Sequence, residues 1–127
     1  MPFLALILSL AASAALPAQT GDQNRWIPVA EAEQGAIFID RTTITRNGPR
    51  AAAWFRTDLR VPGERGEAVW MDHREFDCDA REIRLLAWRE LRPDGSEAAA
   101  NPTVDMPARP VEPGTIGQAG YDILCRR

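Results

Sequence analysis

Two rhythms of hydrophobicity run along this chain. From Arg50 to Leu59, one side of an extended backbone carries Ala51, Ala53, Phe55, Thr57 and Leu59, and the other carries Ala52, Trp54, Arg56 and Asp58. A period of two with one apolar side predicts a half-buried strand. Glu67 to Cys78 repeats the pattern: Ala68, Trp70, Asp72, Arg74, Phe76 and Cys78 share one parity, and Val69, Met71, His73, Glu75 and Asp77 the other. Glu82 to Leu91 sets Ile83, Leu85, Ala87 and Leu91 against Arg84, Leu86, Trp88 and Glu90. Turn-rich joints such as Pro62-Gly63-Glu64-Arg65-Gly66 make these strands antiparallel neighbours.

Shorter strands precede them. Asn24 to Ala30 is rich in aromatic and β-branched residues, but Pro28 cannot donate a ladder hydrogen bond and predicts an edge position. Ala36 to Asp40 predicts a second strand, and Arg41 to Arg46 leads into an Asn47-Gly48 turn suited to positive φ angles. Near the C-terminus the period lengthens. Thr115 is placed to cap a helix, with Gln118 three residues on to complete a capping box, and Ile116, Gly120, Ile123 and Leu124 form its apolar stripe. Gly117 and Gly120 each weaken an isolated helix by about 1 kcal/mol relative to Ala, so this helix depends on tertiary support. The expected fold is α+β: a small antiparallel sheet of about five or six strands with a C-terminal helix packed on it.

Residues 1–18 follow neither rhythm. They are uncharged and dominated by Leu, Ala and Ile, too short for the roughly 20 apolar residues of a membrane span, and end in small residues suited to signal cleavage after Ala18. The expected organisation is an export signal over 1–18 and one domain over 19–127. The cleavage region has no cysteine for a lipid, so the expected product is periplasmic or secreted, without a stable membrane anchor. Export also changes the reading of Cys78 and Cys125. In an oxidising compartment they can bridge, tying the helix end to a central strand with about 4 kcal/mol of chain-entropy stabilisation; free or intermolecular thiols are the alternative.

Charge excludes one class of partner. Fifteen basic side chains, all Arg, face eighteen acidic ones, which leaves no basic field for nucleic acid. Catalytic readings fare no better. His73 is the only histidine and Ser96 the only serine beyond residue 18, and no signature joins them into a triad. His73 and Cys78, five apart on a strand, fall on opposite faces, and an oxidised cysteine is no nucleophile. Asp72, His73, Glu75, Asp77 and Asp79 could be assembled into a metal site on paper, but alternation separates Asp72 from the others, and a solvated strand face explains them more simply. Neither a Walker loop nor dinucleotide-binding glycine spacing occurs. The expectation is a nonenzymatic domain without cofactor or metal. Trp26, Trp54, Trp70 and Trp88 are the candidate binding aromatics, because those sharing an exposed sheet face would form a surface for protein or planar-ligand contact. Core packing competes for the same side chains.

The order of these signals resembles the bacterial surface-adhesin protein E family. The resemblance rests on Trp26-Ile27-Pro28-Val29, on Phe38-Ile39-Asp40 leading to Thr43-Ile44 and Gly48, and on Trp54. Glu75-Phe76-Asp77-Cys78, Arg81-Glu82-Ile83-Arg84, Pro113-Gly114-Thr115-Ile116 and Cys125 extend it through the second half. It implies a small antiparallel sheet carrying a C-terminal helix, exported to the periplasm or cell surface, with adhesins for host extracellular-matrix proteins among its members. The expected function is therefore that of an adhesin-like envelope protein that binds a protein partner at the envelope or host matrix. A soluble periplasmic accessory domain and a small-ligand carrier are the alternatives.

Overall fold

The computed structural model describes residues 22–126, so the expected export signal lies outside the described residues. A short helix α1 (Asp22–Arg25) leads into β1 (Trp26–Glu31) and β2 (Gly35–Asp40), and a 3-10 turn over Arg41–Thr43 precedes β3 (Thr45–Asn47). Three long strands follow, β4 (Arg50–Leu59), β5 (Val69–Asp77) and β6 (Glu82–Leu91). The short β7 (Glu97–Asn101) and β8 (Arg109–Pro110) come next, and α2 (Ile116–Leu124) closes the chain. The α+β class is as expected, but the sheet is larger: eight strands among the described residues, in the order β1-β2-β4-β5-β6-β7, with β3 beside β4 and β8 beside β6. Each pairing is antiparallel. The Pro28-containing strand is an edge, and its register shifts between Pro28 and Ala30. At the β3–β4 turn only Gly48 takes a positive φ, +60°, while Asn47 remains paired with Arg50.

The long strands bury the side that their alternation predicts. Ala51, Ala53, Phe55 and Thr57 of β4 are buried, and Ile37 and Ile39 of β2 and Phe76 of β5 join them. One element departs from its predicted parity. A bulge in the β5–β6 pairing sets Arg74 opposite Leu85 but His73 opposite Ala87, leaving Leu86 as the extra residue. Ile83 and Leu85 therefore share a face with Phe76 and Arg74, whereas Ala87 and Leu91 share the opposite face with His73 and Val69. Trp88, opposite Asp72, and Glu90, opposite Trp70, are correspondingly transferred to the core side of the sheet.

Helix α2 packs on the half of that core side formed by Phe55, Phe76 and the end of β5. Thr115 caps it, its hydroxyl oxygen accepting from the Gln118 N–H at 3.2 Å. The reciprocal half of the capping box is missing, because the Gln118 side chain donates to Asp122 at 2.7 Å and accepts from Arg81 at 3.3 Å. At the far end, Arg46 donates to the Leu124 carbonyl, a cation at the negative end of the helix. Leu124 is fully buried, and Tyr121 meets Phe76 edge-on with ring centroids 6.3 Å apart while its hydroxyl donates to the Cys78 carbonyl at 2.6 Å. Cys78, one residue past β5, is disulfide-bonded to Cys125, which fixes the helix end across 47 residues of sequence.

Gly120 explains why a weak helix former sits in the middle of α2. A Cβ there would lie 2.9 Å from two Phe55 ring atoms and 3.2 Å from Phe76, and both rings are buried and cannot retreat. Gly117 has no such constraint, its nearest contacts being 3.5 and 3.7 Å away. Gly120→Ala is expected to lower unfolding free energy by about 1–3 kcal/mol through overpacking, despite better helix propensity. Gly117→Ala is expected to raise it by roughly 0.5–1 kcal/mol; urea denaturation of the two variants would show the opposite signs. Replacing both cysteines by Ala is expected to cost about 4 kcal/mol, as a loop of this length requires, measured by the same denaturation without reductant.

Candidate functional site

The side of the sheet opposite α2 is built from the alternate positions of the same strands. Register places Pro28, Phe38, Arg56, Met71, Arg89 and Ala100 in one lateral row across it. The neighbouring row runs through Trp54, His73 and Ala87. Trp26, opposite Asp40 at the start of β1, belongs to the same face. Trp26, Phe38, Trp54, Met71 and His73 are half-buried, each showing part of its surface to solvent.

Local contacts hold this aromatic set in place. The rings of Trp54 and His73 stack with centroids 4.9 Å apart and planes 9° from parallel. Burial holds the His73 pKa below its usual 6.5, against a smaller upward pull from Glu75, so the imidazole is neutral at pH 7. The guanidinium groups of Arg25 and Arg56 lie over Trp26, at 4.9 and 5.2 Å from its ring centroid. Arg56 is oriented by Asp58 at 2.6 Å, and Arg25 donates twice to Asp40, at 2.9 and 3.1 Å.

Asp40 is the buried anchor of this corner, only 2% exposed. Besides Arg25, it accepts the Thr42 N–H at 3.0 Å and the Thr42 hydroxyl at 2.6 Å. Burial opposes its ionisation, but the hydrogen bonds from Arg25 and Thr42 outweigh that effect and hold its pKa below 3.8.

The four tryptophans thus divide into two pairs. Trp26 and Trp54 share the open face, while Trp70 and Trp88 fall on the side that carries α2, both half-buried. Trp70 lies beside Leu59 and the 74%-exposed Val61, and its indole N–H is buried without an acceptor among the described residues. Sequence reasoning missed Phe38, Met71 and the two arginines over Trp26 as members of the aromatic face. Phe38 carried a signal, since it alternates with the buried Ile37 and Ile39.

The residues weighed for catalysis and metal binding are engaged otherwise. Cys78 is oxidised, Glu75 pairs with Arg84 at 3.0 Å, Asp72 pairs with Arg74 at 3.1 Å, and Asp77 accepts the N–H groups of Asp79 and Ala80 in a turn. No three His, Cys, Asp or Glu side chains converge as a metal site among the described residues. The depression bounded by Trp26, Phe38, Arg56 and Asp58 holds about 230 Å³, below the roughly 300–1,000 Å³ of small-molecule sites. Its shape suits a projecting side chain better than an enclosed ligand.

The sheet thus carries a disulfide-pinned helix on one side and an aromatic, arginine-edged face on the other. The family described as Surface-adhesin protein E matches residues 26–126, and the chain belongs to that family. Its fold is similar to that in the crystal form II structure of Haemophilus influenzae protein E, with a TM-score of 0.65 at 14% identity over 87% of this chain and 94% of that one. No curated protein matches the chain. Among the described residues, no helix is long and apolar enough to cross a membrane.

Asp40 supplies a pH test of this corner. Its depressed native pKa means that its contribution to stability is present above the unfolded value near 3.8 and is lost as pH falls through the native value. Asp40→Asn is expected to lose less stability than the parent between about pH 5 and pH 2, measured by urea denaturation across that range. Equal acid losses in the two proteins would rule out Asp40 as a contributor.

Proposed function

We propose that this chain is an exported, noncatalytic, adhesin-like protein that binds a protein partner at the cell envelope or host matrix through the open sheet face. The observation that carries the reading is the grouping of Trp26, Phe38, Trp54, Met71 and His73 on a face that α2 does not cover, in a member of a surface-adhesin family. Aromatic residues, Met and Arg are the residue types enriched at protein interfaces. The aromatic rings among them offer large contact area with few rotatable bonds to freeze. The shallow depression at Trp26 gives such a surface one place to seat an anchor side chain.

Location and contact are tested separately. Fractionation of cells expressing the full-length protein, with protease added to intact cells, is expected to find it exported and protease-accessible; exclusive periplasmic residence would sink the adhesin reading and leave a periplasmic accessory domain. Binding to immobilised extracellular-matrix proteins is expected to weaken about 30-fold in Trp26→Ala and Trp54→Ala, the loss of about 2 kcal/mol typical of a truncated hot spot. Unfolding curves must show that both variants remain folded. Retained binding in both folded variants would remove the open face from contention.

A further inference from the structure

The opposite side of the molecule holds a second surface of different chemistry. Between α2, the segment leading into β8, and the ends of β5 and β6 lie two adjoining hollows of about 210 and 100 Å³. Arg74, Ile83 and Arg109 line both. The larger is closed by Glu112 and by Thr115 and Gly117 at the start of α2. The smaller is walled by Leu85, Pro107 and Met106, the last 45% exposed.

The two arginines are held differently. Arg74 is fixed by Asp72 at 3.1 Å and by the Phe55 ring, whose centroid is 5.5 Å from its guanidinium carbon, yet its Nε–H is buried without an acceptor among the described residues. A buried unpaired donor is destabilising, and a seated acceptor that draws the guanidinium outward would relieve it. Arg109 projects from the exposed β8 and makes no side-chain ion pair or hydrogen bond among the described residues. With Asp72 engaged on Arg74, Glu112 is the one further acidic residue lining the groove, so the local balance is even where the whole chain carries a net −3, and the Arg109 guanidinium remains open to an anion. The first turn of α2 adds its positive end to the same field.

We infer that this groove binds an acidic segment of a partner protein, with a carboxylate between Arg74 and Arg109 and a neighbouring apolar side chain against Ile83, Leu85 and Met106. Guanidinium groups match a carboxylate with paired donors, and the apolar wall beside them suits a hydrophobic neighbour rather than a second charge. A polyanion is disfavoured by the acidic balance of the chain as a whole. The groove is separate from the aromatic face, and either can fail while the other stands.

The test uses the oxidised, nitrogen-15-labelled protein with the probe acetyl-Gly-Leu-Glu-Leu-Gly-amide, its Gln counterpart, and inorganic phosphate, followed by NMR. The Glu peptide is expected to shift the Arg74 Nε–H and Gly117 amide signals and to leave the Trp26 and Trp54 indole signals in place. The Gln peptide is expected to bind about tenfold more weakly, as is the Glu peptide to Arg109→Gln, each having lost about one charge-assisted hydrogen bond. Because Arg109 is exposed, that variant should fold normally, which its spectrum verifies. Equal binding of both peptides, an unchanged affinity in Arg109→Gln, or shifts confined to the aromatic face would overturn the assignment. So would phosphate that reproduces the shifts and displaces the peptide at equal concentration, which would make the groove a simple anion site.

Discussion

The seating of α2 at Gly120 is the constraint on which the rest of the fold depends. A sheet needs one apolar side covered, and here a nine-residue helix covers half of it. That is less than the roughly 12–15 residues at which isolated helices become marginally stable in water. Its stability must come from contact, and contact requires the backbone to approach the rings of Phe55 and Phe76 closely enough to exclude a Cβ. The disulfide then retains the helix end, while the Tyr121 hydroxyl satisfies the Cys78 carbonyl beside it. Intrinsic helix propensity is sacrificed at one position, and the helix backbone gains close contact with the Phe55 and Phe76 rings there.

Covering one side leaves the other free to specialise. On the open face, aromatic and arginine side chains are braced by their own neighbours: Trp54 by His73, and Trp26 by Arg25 and Arg56, with Arg25 in turn held by buried Asp40. Such bracing lowers the side-chain entropy still to be lost on binding, which is the usual cost of using long side chains for recognition. The same residues therefore stabilise the free protein and, on the function proposed above, hold its surface ready for contact.

Much of this was legible in the sequence because it is periodic. The alternation of Ala51, Ala53 and Phe55 specified the buried side of β4, Thr115 specified the start of α2, and Pro28 specified an edge. The sheet was underestimated where periodicity is absent. Glu97–Asn101 is mostly Ala, a weak strand former, and joins the sheet because the Asp94-Gly95 turn folds it back on β6; β8 is only two residues and includes Pro110. For the aromatic face, the tryptophans were visible but their grouping was not. Face membership follows from register, and the bulge at Leu86 is a backbone event with no side-chain signature.

That bulge makes β6 a strand with two allegiances. Before it, Ile83 and Leu85 belong with the helix and the arginine-lined groove; after it, Ala87, Arg89 and Leu91 belong with the aromatic face. One extra residue thus uncouples the inward-looking duties of the strand's first half from the outward-looking duties of its second. Substitutions can accumulate on either surface without rewriting the other, so the two faces of a single small domain can diversify independently.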